Sequence, residues 1–155
     1  MTKLQELIDK AYSSLVDQPP HTPKQVTIVK ALLELYLATF VLKDYDTTAR
    51  LIPLDYKQHD PMVGDGRQSI IEFFNFMQDK TTEIIGRTAP IPDIFFKRIL
   101  VDGPYVIVHA HVRRWPEDEG LAVVDLFRYE NGLFVEHWDV IQPVPDNAKN
   151  SNGMF

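Results

Sequence analysis

Cysteine is absent from the 155 residues, which excludes a disulfide framework, a thiolate metal centre and a cysteine nucleophile. Glycine is scarce, at 7 residues, and forms neither a phosphate-cradling loop nor a Gly-x-Ser-x-Gly elbow. Positive charge is in deficit: 16 Lys and Arg against 22 Asp and Glu leave a net charge of −6 and a pI near 5.3. Nucleic-acid binders carry a clustered basic face, so no nucleic-acid partner is expected. Long apolar runs are missing too. The longest, Ala31 to Leu42, is interrupted by Glu34 and is shorter than the ~20 residues a membrane span requires, so no membrane partner is expected either. A glutamate at position 6 sits where a signal peptide would be apolar, which points to a cytoplasmic protein. What is present, 45% apolar and 25% charged residues, can fill a single core.

The chain reads as a helical half followed by a stranded half. Leu4, Leu7, Ile8, Ala11 and Leu15 recur at helical spacing and predict a helix over residues 3–17, ended before Pro19-Pro20. Thr22-Pro23-Lys24-Gln25 is a capping box with proline at the first helical position. It opens a helix running to about Lys43, whose last part from Leu35 to Leu42 is apolar nearly all round and so belongs under a sheet. A short helix follows around Asp46 to Arg50. Asp65-Gly66-Arg67-Gln68 is taken as a second cap of the same kind, opening a helix with Ile70, Phe73, Phe74 and Met77 on one face. From Ile94 the period becomes two: Ile94–Val101, Tyr105–Arg113, Leu121–Tyr129 and Leu133–Ile141 are predicted strands, with Asp102-Gly103 and Asn131-Gly132 as hairpin turns. The expected class is α+β with an antiparallel meander.

Regular pairing around Asn131-Gly132 sets Glu130 opposite Leu133, Phe127 opposite Glu136 and Asp125 opposite Trp138. Parity then gathers Leu121, Val123, Asp125, Phe127, Phe134, Glu136 and Trp138 on one face, with His137 and Asp139 on the other; a bulge would change that register. A carboxylate among apolar neighbours is a candidate general acid or base. His109 and His111 share a face of their strand, and the Asp102-Gly103 hairpin is expected to bring Ile94, Phe96 and Arg98 to it. His59 lies just ahead of the third long helix. Gly103, His109 and His111 also match the opening of a cupin metal motif, which makes a metal-dependent enzyme using His109 and His111 an alternative. The following glutamate, Glu117, comes too late for that motif, and a helical half contradicts an all-β cupin.

Tyr56-Lys57-Gln58-His59-Asp60-Pro61 followed by Asp65-Gly66 resembles the "Y-x-Q-H-N-P … D-G" segment of SnoaL-like proteins, with Asp60 standing where asparagine is common. His109-Ala110-His111, the strand Ala122 to Arg128, and Asn131-Gly132 with Glu136 to Pro143 resemble that family's later strands. The likeness runs over about residues 25–155. It is strongest to the predicted SnoaL-like aldol-condensation branch of the nuclear-transport-factor-2-like superfamily. The resemblance implies a curved antiparallel sheet closed by helices into a cone with a deep pocket. It also implies a catalytic Asp125 and, in His111, a polar residue that helps orient the substrate; in an enzyme of this kind His111 or His59 is the candidate to stabilise the enolate.

The function expected from these readings is acid/base chemistry of the aldol-condensation, cyclase or isomerase type, with no cofactor and no metal. The ligand would be small and hydrophobic or carbonyl-containing, contacted by Trp138, Phe127, His109, Glu136 and Arg98. A binding domain without chemistry is the other alternative. Ala122, Val124, Leu126 and Val135, with His137 beside them, form an apolar row on the opposite face, from which a homodimer is expected. By division of the chain, residues 1–20 are a helix and linker, 21–145 the SnoaL-like domain and 146–155 a polar tail.

Overall fold

A computed structural model describes residues 1–155. Thr2 caps the first helix, α1 (Lys3–Ser13), which ends four residues before Asp17. Asp17 and Gln18 are thereby freed to reach the sheet, where Asp17 pairs with Arg98 and the Gln18 amide oxygen accepts from the Ile99 N–H at 2.8 Å. The Thr22–Gln25 capping box forms in both directions and starts α2 (Pro23–Tyr36). This helix continues as a π-helical turn over Leu37–Leu42 and stops at Lys43, which is left-handed at φ 54°. Together Pro23–Leu42 make 20 residues of mean hydropathy 1.6, long and apolar enough to cross a membrane by composition; here half of that stretch is buried in the protein's own core.

Helix α3 spans Tyr45–Leu51, capped by Asp44, and α4 spans Arg67–Ile85. The second capping signal takes a different form from the first. Gly66 caps α4 without a side-chain bond, while Asp65 accepts from the Gln58 N–H at 2.9 Å. Between α3 and α4 lies a strand of two residues, β1 (Lys57–Gln58), that the sequence pattern did not suggest. The other strands are β2 (Asp93–Asp102), β3 (Tyr105–Arg113), β4 (Leu121–Glu130) and β5 (Leu133–Pro143). Their spatial order is β1-β5-β4-β3-β2. Strands β2 to β5 form the expected antiparallel meander, and β1 adds in parallel to β5, so the sheet is mixed.

The helices cover one face of this curved sheet, giving the α+β cone. Ile28, Val29, Leu32 and Leu33 of α2 pack with Phe96, Ile99, Val106 and Val108 in one buried cluster. Helix α1 adds Ile8 to the same cluster and therefore lies on the helical side, leaving the outer face of the sheet without a helix.

Two bulges decide which side chains face inward. After the Asn131-Gly132 turn, whose residues have φ of 51° and 83° as a tight hairpin of this kind demands, Glu130 pairs with Leu133 and Tyr129 with Phe134. The next pair is Arg128 with Glu136, so Val135 is an extra residue. Beyond it the register differs by one from regular pairing: Phe127 faces His137 and Asp125 faces Asp139. In the other hairpin Phe96 pairs with Ala110 but Arg98 with His109, leaving Lys97 extra, and the turn itself is Gly103-Pro104. Each bulge keeps a charged residue, Glu136 or Arg98, out of the core and turns His137 or Ile99 inward instead. Burying an unpaired charge costs more than one disrupted ladder position, which accounts for the irregularity at both places.

Candidate functional site

The wide end of the cone holds a cavity of about 210 Å³. Its walls are mostly apolar and aromatic, with Phe40, Phe73, Phe74 and Met77 from the helices and Val112, Val123 and Phe127 from the sheet. Arg114 also lines it, held by Asp118 through Nε to Oδ2 at 2.7 Å and Nη2 to Oδ1 at 2.8 Å. Thr39, Gln78 and Thr81 add polar groups from the helices, and the titratable ones gather where β4, β5, α2, β1 and the loop after it meet.

Asp125, only 5% exposed, occupies the middle of that cluster. The Tyr36 hydroxyl donates to its Oδ2, and His137 Nε2 lies 2.9 Å from its Oδ1. His137 Nδ1 is 2.7 Å from the Gln58 Oε1, which also accepts from the Asp60 backbone N–H at 3.0 Å. That backbone donor fixes which end of the Gln58 amide faces the imidazole, so His137 Nδ1 carries hydrogen. A carboxylate oxygen and Nε2 make contact only with a proton between them, and hence Asp125 and His137 share one. Tyr36 is buried as well. Burial, and after it the Asp125 charge, push its phenol well above the usual range and keep it a donor; the same causes together with Asp139 raise Tyr56.

Asp139 faces Asp125 across the strand pair and lines the same cavity. Desolvation lifts its carboxyl to about 7; the His137 ring opposes the rise, while the carboxyls of Asp60 and Asp125 and a side-chain bond with Asp60 add to it. Asp60 is itself buried and accepts from the Met62 N–H at 2.8 Å. The donor atoms of Asp125, His137 and Asp139 lie within 4.8 Å of one another, so this trio has the donor types and closeness to hold a divalent cation.

Of the residues singled out in the sequence, Asp125 and Phe127 line the cavity. Parity had set Glu136 and Trp138 beside them; the Val135 bulge turns both to the outer face and brings in His137 and Asp139. His59 is also outside, stacked on Trp138 at 4.7 Å between ring centres and bonded through Nε2 to Glu136 Oε1 at 2.8 Å. Arg128 holds the other oxygen of Glu136 at 2.9 Å. His109 and His111 lie on the outer face of β3, where Phe155 stacks against both rings. His109 Nδ1 contacts the Arg98 guanidinium, and His111 Nε2 bonds the Glu119 carbonyl oxygen at 2.8 Å. A ring facing a guanidinium is a poor ligand for a cation, and neither histidine meets a carboxylate; the metal-type donors stand together only around Asp125. Ile94 lines the cavity and Phe96 lies in the core beneath the sheet, whereas Arg98 is on the outer side, because Lys97 interrupts the alternation.

Tyr36, Gln58, Asp60, His137 and Asp139 escaped the sequence reading. Tyr36 had a signal, since it and Thr39 carry the only polar tips in the otherwise apolar stretch Leu35–Leu42 under the sheet. Gln58 and Asp60 alternate with His59 in the recognised segment, and pairing of β1 with β5 sends those two inward and His59 outward.

No protein-family model matches the sequence, and no curated protein matches it. Solved structures do match. A candidate polyketide cyclase from Bacillus cereus is 13% identical, aligned over 82% of this chain and 89% of that one, with a TM-score of 0.61. A candidate SnoaL-like polyketide cyclase from Jannaschia is 16% identical over 80% and 91%, with a TM-score of 0.60. A candidate ketosteroid isomerase from Kribbella flavida is 21% identical over 79% and 82%, with a TM-score of 0.55. The chain shares the fold of these proteins, the cone of the nuclear-transport-factor-2-like kind.

Proposed function

We propose that this protein is an acid/base enzyme of the aldol-condensation, cyclase or isomerase type, acting on a small, largely apolar carbonyl compound. The observation that carries the reading is a deeply buried carboxylate, Asp125, in the wall of a mostly apolar cavity, with each oxygen held by one donor. Each oxygen keeps a further lone pair, so Asp125 can take a proton from a carbon flanked by carbonyl groups. His137, pinned by Gln58, stabilises the carboxylate before that transfer. Similarity of fold to candidate cyclases and a candidate isomerase supports the class of chemistry but does not fix it, since one fold hosts many reactions.

Turnover of an activated β-diketone tests the reading. Asp125→Asn is nearly isosteric and should keep the fold by circular dichroism while losing ~10²–10⁴-fold in rate. Saturable binding of the diketone without turnover by the natural sequence would instead favour a binding domain.

The reading extends to a homodimer that pairs the uncovered outer faces. Val124 and Val140 pair in register there, 43% and 71% exposed, and Trp138 joins them in place of Val135 and His137. Sedimentation equilibrium should give twice 17.9 kDa at micromolar concentration. Val124→Glu should dissociate the pair by placing a carboxylate in the contact without a partner.

A further inference from the structure

We propose that Arg114 anchors a carboxylate of the ligand, so that the substrate is an apolar keto acid with its carbonyl end at Asp125 and its carboxylate on the guanidinium. This rests on the acid/base reading above and names the substrate class for the same cavity. Arg114 is the only lysine or arginine among the residues that line it.

The guanidinium is held in place before any ligand arrives. Asp118, whose side chain is 6% exposed, takes its Nε and Nη2 on two separate oxygens and also accepts from the Arg114 backbone N–H at 3.0 Å. The Trp115 ring lies against the guanidinium, 4.8 Å from ring centre to Cζ. A guanidinium carries five N–H donors, and Asp118 occupies the edge formed by Nε and one N–H of Nη2. The opposite edge, Nη1 with the second N–H of Nη2, is left over. Nη1 bonds no protein atom and is not sealed away by the protein. That edge is a second fork of parallel donors, the shape that a carboxylate takes with both oxygens.

The strands set how far this fork stands from the base. Asp125 pairs with Val108, and Arg114 lies six positions further along the same chain, one past the end of β3. At ~3.3 Å per residue the two backbones are about 20 Å apart, a gap that the two side chains only partly close. Between them the cavity wall is Ala110, Val112, Leu121 and Val123, with no charge. A ligand that touches both ends therefore needs an apolar middle. Charge sets its direction as well. Asp60, Asp125 and Asp139 line one region of the cavity and repel an incoming carboxylate, whereas Arg114 attracts it. A keto acid is thus turned with its ketone toward Asp125.

Benzoylalkanoic acids, with two to eight methylene groups between ketone and carboxylate, test the proposal when each is compared with its methyl ester. Their ketone has no second carbonyl beside it, so calorimetry reads binding without turnover. A cavity without a usable cation would favour the more apolar ester. Here the acid of fitting length should bind the natural sequence about 10- to 100-fold tighter than its ester, the range expected for hydrogen bonds to a charged group. Arg114→Gln should bring that ratio to about one and leave ester affinity unchanged, whereas a merely structural loss would weaken acid and ester together. Arg114→Lys keeps the charge but not the fork and should lower the ratio in part; it serves if the glutamine variant fails to fold. Esters that bind the natural sequence as well as the acids, or a ratio unchanged in a folded Arg114 variant, overturn the proposal and leave the reading of Asp125 standing. Turnover of the activated β-diketone with no binding of any acid or ester does the same. If the β-diketone is neither bound nor turned over either, both fall.

Discussion

The two faces of the sheet use the same residue types to opposite effect. On the outer face His59, Glu136 and Arg128 form a chain of ion pairs, and there the His59 and Arg128 partners pull the Glu136 carboxyl below its ordinary value. On the inner face, one residue further along the same strand, His137 meets Asp125, and three residues on Asp139 is pushed up to about 7. A carboxylate with cations around it and water within reach stays charged. A carboxylate enclosed with two others resists ionising. Chemistry in this protein therefore depends less on which acids and histidines the chain contains than on which side of a strand each one takes.

Removing a donor from the inner face should have the largest effect on stability, and Tyr36→Phe does so. It leaves an Asp125 oxygen without its donor in a buried site, and chemical denaturation should register a loss of about 1–3 kcal/mol. The pH dependence of stability then separates the inner acids from the outer ones. Asp139 titrates at about 7 when folded against 3.8 as its ordinary value, so the folded state holds more protons between those limits. Its contribution is complete below about pH 4 and is lost as pH rises through about 7. Asp139→Asn should flatten this decline and be more stable than the natural sequence at pH 8, as thermal melts at pH 5 and pH 8 would show. The smallest effect belongs to the outer face. His59→Ala removes a half-exposed ion pair with Glu136 and should cost only about 0.2–1 kcal/mol, with turnover unchanged; a loss of rate comparable to that of Asp125→Asn would reverse the assignment of faces.

Much of the architecture could be read from local pattern, because helices and strands announce themselves through periodicity, caps and turns. The Thr22–Gln25 box, the apolar stretch Leu35–Leu42, the four long strands and the Asn131-Gly132 turn are set by interactions over a few neighbouring residues. Asp125 and Phe127 fell on the cavity side because β4 runs without interruption from Leu121 to Arg128. The doublet Lys97-Arg98 between Phe96 and Ile99 was a legible sign of a bulge, since regular alternation would bury one of the two charges.

What the sequence determined by itself, then, is the class of each element, their order, the α+β layout and the inward aspartate at position 125. The tertiary structure decided the rest of the site. Whether Val135 is skipped depends on the free energy of Glu136 inside against outside, which includes Arg128 and His59 as partners. Whether Gln58 reaches His137 depends on a two-residue parallel strand too short to leave a period. The raised carboxyl of Asp139 comes first from its burial and then from Asp60, although 79 positions separate the two in the chain. Alternation along a strand is a local property; register, and the electrostatic field inside a cavity, are sums over residues that only the folded chain brings together.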